Sequence, residues 1–152
     1  MSEFPDNIAA ALADHFGEEF PGATVVQREI RPTDPNETIA VHVIDWRPLD
    51  WEIGNRDVSL SRYAIQVETM HRHADESEGR VAQARLAKNI RAMLYRDSGL
   101  RVRLTSLSEN MLGTTERLKR WGVQLQRYHS NQLSGQFIFI SVTELWVETE
   151  MA

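Results

Sequence analysis

The chain predicts an α+β fold: a mostly antiparallel β-sheet with one long amphipathic helix and a short N-terminal helix packed on it. Three observations carry this. Apolar residues recur at helical spacing near the start and again in the middle of the chain. The runs between and after them alternate with the period of two expected of strands. The resulting order of helix, three strands, long helix and three strands argues for helices on a mostly antiparallel sheet. At 152 residues this fits a single domain over 1–152. A chain of roughly 150 residues buries about 70% of its unfolded surface without cross-links.

Ile8, Ala9, Leu12 and Phe16 fall on one helical face, Pro5 suits a first turn and Gly17 suits a stop, so a short helix is expected from Pro5 to Phe16. Thr24 to Ile30 is β-branched and short, and Thr33-Asp34-Pro35-Asn36 supplies turn chemistry before Thr38 to Asp45, which suggests a hairpin. Trp46 to Asp57 has no period and contains Pro48 and Gly54-Asn55, so it is expected to be a loop with two tryptophans. Strand pattern resumes from Arg62 to Thr69, with Tyr63, Ile65 and Val67 on one face.

The clearest helix signal follows. Asp75 and Glu78 form a capping-box pattern, and the acids suit the positive end of the helix dipole. Ala82, Leu86, Ile90, Met93 and Leu94 gather on one side, while Arg80, Arg85, Lys88, Arg91 and Arg96 take the other. Gly99 reads as a left-handed cap, and Leu100, Val102 and Leu104 alternating with Arg101 and Arg103 read as a strand with a basic face. Ser108 to Thr114 reads as a loop or short helical turn, and Thr115 to Trp121 is ambiguous. Trp121, Val123 and Leu125 favour a strand, a turn follows at Ser130-Asn131-Gln132, and Phe137 to Val147 reads as a central strand antiparallel to its predecessor.

Composition narrows the chemistry. The chain has no cysteine, which excludes disulfide staples, thiolate zinc, iron–sulfur clusters and a cysteine nucleophile. No apolar run approaches the ~20 residues of a membrane span, and the start lacks a signal-peptide pattern, so a soluble protein made in a cytoplasm and not bound to membrane is expected. The formal charge is −5, but residues 1–79 hold 16 acids against 6 Lys and Arg, while residues 80–127 hold 3 against 11. Such asymmetry suits two oppositely charged surfaces, which in identical subunits can dock head to tail. Signs that intermix in space and serve solubility are the competing reading.

Candidate catalytic patterns have plain explanations. His71-Arg72-His73 is the nearest thing to a metal cluster, yet it lacks further ligands at a recognised spacing and Arg72 opposes a cation, so no metal is assigned. Glu76 and Glu78 cap a helix, and neither a nucleophile elbow nor a phosphate-binding glycine loop is present. No catalytic residue and no cofactor are assigned. The cationic helix reads first as a solvated face, second as a protein interface and third as a nucleic-acid one, because only Tyr95 among its charges could stack on a base. Trp46, Arg47, Trp51 and Glu52 either cover one end of the core or form a partner-binding loop, since tryptophan and arginine are favoured interface anchors.

The helix "ESEGRVAQARLAKNIRAMLYRDSG", the following "LRVRLTSL", the closing "WGVQLQRYHSNQLSGQFIFISVTELWVET" and the early "TVVQREI" together resemble the tail terminator proteins of long-tailed bacteriophages. The resemblance spans nearly the whole chain and rests on element order, size and the ending. It implies a small α+β subunit forming a hexameric ring on the finished tail tube, at the tail-neck junction of a virion assembled in the host cytoplasm. Its implied partners are copies of itself, the tail tube protein and the head connector or neck proteins, with DNA only passing through the lumen. It implies no active-site residues, and "WRPLDWEIG" has no counterpart in it. Ring contacts are then expected between Arg85, Lys88 and Arg91 of one subunit and acids of the next, including Asp45 or Glu68. Two other readings are another phage neck or tail-completion subunit, and a small-ligand enzyme on a curved antiparallel sheet with Trp46 and Trp51 lining a pocket and His71 or Asp45 as base.

Overall fold

In the computed structural model, which describes residues 4–49, 59–133 and 135–152, the elements run α1 (Phe4–Glu19), β1 (Thr24–Val26), β2 (Glu37–Pro48), β3 (Ser59–His73), α2 (Glu76–Arg96), α3 (Ser98–Thr105), β4 (Ser108–Met111), β5 (Thr114–Leu133) and β6 (Gln136–Met151). The six strands form one sheet in the order β1-β2-β3-β6-β5-β4, antiparallel everywhere except between β1 and β2. The mixed helix and sheet architecture expected from the sequence is therefore present, with three helices where two were expected.

One face of the sheet carries the helices. Tyr63, Ile65 and Val67 of β3 and Leu145 and Val147 of β6 bury against Phe4, Ile8, Leu12 and Phe16 of α1, Leu86, Ile90 and Leu94 of α2, and Leu100 and Leu104 of α3. α1 lies over β1 and β2, and α2 lies over β3 and β6. Gly79 lets α2 approach β6 closely: a methyl group there would sit 2.1 Å from the Phe139 ring. The buried Thr69 and Ser141 hydroxyls share a hydrogen bond across the same face.

Several local expectations are corrected. α1 continues through Gly17 to Glu19, because Gly17 faces open space and a helix tolerates it. β1 and β2 are not a hairpin but a parallel pair, because residues 27–36 cross the face of β3 that carries Glu68 and Arg72 before β2 begins. That crossing is tied by Arg28 to Asp34, by the Ile30 N–H to Glu68, and by Arg72 to the Asp34 carbonyl. Asp75 does accept the Glu78 N–H at the start of α2, but Asp97 rather than Gly99 ends that helix.

Leu100 to Leu104 is helix α3, not a strand. Asp97 caps it by accepting the Leu100 N–H, and Leu100 and Leu104 bury one turn apart while Val102 is 67% exposed. Ser108 to Met111 is a short strand, joined to β5 through Leu112 and Gly113. Both have positive φ, as the preferred two-residue hairpin turn requires. β5 runs on through Ser130 to Leu133, so the chain reverses into β6 only after Leu133, and Gly135 before β6 has a φ of 78°. Trp46 and Arg47 lie in β2 rather than in a loop, opposite Tyr63 and Arg62.

Candidate functional site

The residues expected at a subunit contact fall into three groups. Arg85, Lys88 and Arg91 stand exposed on the outer side of α2, and among the described residues none of the three has an ion-pair partner. Asp45 is exposed on β2, where its Oδ1 accepts the Trp46 N–H at 2.8 Å. Glu68 is engaged within the chain instead: its side chain is 14% exposed, 3.7 Å from His42 Nδ1 and 3.4 Å from the Ile30 N–H. That geometry takes Glu68 off the surface available to a neighbour. Trp46, 54% exposed, and Arg47 stand on β2, whereas Trp51 and Glu52 lie outside the described residues.

The helices on one sheet face carry opposite charge, acidic over the β1–β2 margin and basic over the central strands. α1, above β1 and β2, carries Asp6, Asp14, Glu18 and Glu19 and no Lys or Arg. α2, above β3 and β6 and touching β5, presents Arg80, Arg85, Lys88, Arg91 and Arg96. Two of these charges already have partners: Glu18 binds Arg103 of α3 at 2.8 Å, and Arg80 binds Glu76 at 2.7 Å. The others face solvent, where charge works over about a Debye length.

The opposite face of the sheet holds a cluster that the sequence did not disclose. Trp146 lies over Gly122, and the guanidinium groups of Arg62 and Arg120 sit 5.1 and 5.7 Å from its ring. Both arginines also bind Glu148, which is 4% exposed, and hydrogen bonding to Arg120 holds the Glu148 carboxyl below the usual range despite burial. Only the register of three strands brings these residues together. The one local hint is Trp146 and Glu148 two apart on a strand, hence on one face.

A second cluster joins α1 to the α2–α3 junction. Buried His15 lies 2.9 Å from Asp97 through Nε2, and Glu19 brings a third ligand atom within 4.8 Å of the others. One imidazole nitrogen and two carboxylates could hold a divalent cation. The hydrogen bonds actually formed already occupy Asp97, which His15 and the Leu100 N–H together hold below its usual pKa. His15 and Glu19 are four apart on a helix, a legible pair, but Asp97 is 82 residues away from His15.

Burial lowers the His71 pKa, and His73 accepts the Asp75 N–H as part of the α2 cap region. Tyr63 donates to Glu116 at 2.8 Å in a buried pair, and desolvation raises both pKa values. Among the described residues, surface depressions of about 450, 410 and 400 Å³ lie along α1 and α3 and beside α2. Their linings include none of Asp45, Trp46 and His71. Among the described residues no helix is long and apolar enough to cross a membrane.

No known protein family matches the chain, and no curated protein matches it. Among solved structures, a chain in the virion of a native gene transfer agent (GTA) particle is similar at a TM-score of 0.40 and 10% identity, over 93% of this chain and 84% of that one.

Proposed function

We propose that the chain is a virion assembly subunit that works by protein-protein contact rather than by catalysis. Its role in this reading is that of a tail terminator: a ring of identical subunits, six by the family resemblance, closes the finished tail tube and offers a surface to the head connector. DNA would pass through the ring without being read.

The observation that supports this reading best is the separation of charge along one sheet face, acidic on α1 and basic on α2. Closed head-to-tail assembly needs two different complementary surfaces on each subunit, and α1 over the β1–β2 margin and α2 over the central strands carry opposite charge. The partly solvated pairs would each contribute about 1 kcal/mol or less, setting register more than affinity. An enzyme would instead work through a lined pocket of converging titratable groups.

The direct test mixes the protein with tail tube subunits and images the products by negative stain. Tubes of bounded length carrying a cap at one end are expected. Tube growth that proceeds unchanged would overturn the assignment.

A further inference from the structure

We infer that successive copies join edge to edge, the open edge of β2 in one copy pairing antiparallel with the open edge of β5 in the next. A single sheet would then continue from subunit to subunit. This rests on the assembly reading above and specifies its contact.

The first support is the pair of uncovered edges. β1 covers β2 only along Thr38–Ala40, and β4 covers β5 only along Thr114–Arg117. Beyond those stretches, among the described residues, no strand lies on the outer side of either, although on β5 the Val123 N–H is taken by the Tyr95 hydroxyl at 3.2 Å. Long unpaired edges present rows of unsatisfied N–H and C=O groups, and proteins normally keep them short or covered. Here two such edges stand at opposite ends of one sheet. β2 and β5 also run in opposite directions within it, so a copy placed alongside would meet its neighbour antiparallel.

The side chains at the two edges match. β2 exposes Ile44 and Trp46, and β5 exposes Leu125 and Tyr128, each between 40 and 54% accessible. Register places Trp46 beside Tyr63 and Tyr128 beside Ser141, so both aromatics lie on the helix-bearing face. It places Asp45 beside Ala64 and Arg127 beside Val142, so the unlike charges share the other face. Joining the edges also brings the acidic α1 of one copy and the basic α2 of the next onto one continuous face, with β5 between them. β2 carries a bulge between Val43 and Asp45, and β5 carries two, between Leu118 and Arg120 and between Val123 and Leu125. Bulges discourage pairing with an arbitrary flat strand and leave the matched partner favoured.

The absence of cysteine makes the test clean. Asp45→Cys, Leu125→Cys and Arg127→Cys are prepared as single variants and oxidised alone and in mixtures, with oligomeric state followed by sedimentation velocity. Covalent dimers are expected when Asp45→Cys is mixed with either β5 variant, and only traces from any variant alone. Asp45→Arg or Arg127→Asp should each weaken association about fivefold, and the two together should restore it. Oligomers that sediment normally but never cross-link in the mixtures would overturn edge pairing and leave the assembly reading standing. A chain that stays monomeric at every concentration, alone and with tube subunits, would overturn both.

Discussion

Gly79 and Gly17 separate two meanings of a helical glycine. A methyl at Gly79 meets the Phe139 ring, so Gly79→Ala should destabilise by about 1–3 kcal/mol in urea unfolding, the usual range for overpacking. Gly17 faces nothing within 4 Å, and Gly17→Ala should stabilise by about 0.5–1 kcal/mol in the same assay, because alanine is the better helix former. Asp34 shows how a single carboxyl ties down the 27–36 crossing. The Arg28 guanidinium, with help from the Arg31 N–H, lowers its pKa from 3.8 to about 2. A group depressed on folding contributes stability that is complete above its unfolded pKa and disappears as pH falls through the folded one. Asp34→Asn should therefore lower the melting temperature at neutral pH, with the gap from the parent closing between about pH 4 and pH 2. Leu112, 95% exposed with a φ of 52°, is held where leucine is disfavoured.

At the scale of the element, the sequence disclosed what periodicity determines and concealed what register determines. α2 was legible from its cap and its single apolar face, and β6 from its unbroken apolar run. α3 was not, because Leu100, Val102 and Leu104 spaced two apart satisfy a strand, while the first and last of them also satisfy a helical turn. Burial of Leu100 and Leu104 decides for the helix. The end of β2 was hidden for another reason: the bulge at Ile44 breaks the alternation, so Trp46 and Arg47 read as irregular although both are paired. The Trp146 cluster was invisible because its members come from three strands. The capping role of Asp97 yields a prediction at this scale. Asp97→Ala removes the α3 cap and the His15 partner together and should cost about 1–2 kcal/mol, whereas Asp97→Ser, which keeps a capping oxygen, should recover part of it.

For the whole molecule, the feature that matters most is the opposite charge of α1, over β1 and β2, and of α2, over the central strands β3 and β6. Reversing Lys88 and Arg91 to Glu places like charges against α1 of a neighbour, so oligomers seen by light scattering should be lost while circular dichroism is unchanged, since both side chains are exposed and lack ion pairs among the described residues. The long pairing of β5 with β6 has a separate consequence, for kinetics. Leu133 lies opposite Gln136, so the twenty-residue and sixteen-residue strands are joined by a two-residue link and can zip from it through purely local contacts. β1 must instead wait for a ten-residue excursion to close, and it holds only three residues of ladder. In native-state hydrogen exchange the amides of β6 should open only with global unfolding, and those of Thr24–Val26 should open first, which would make β1 the natural latch through which the outer margin of the sheet becomes available.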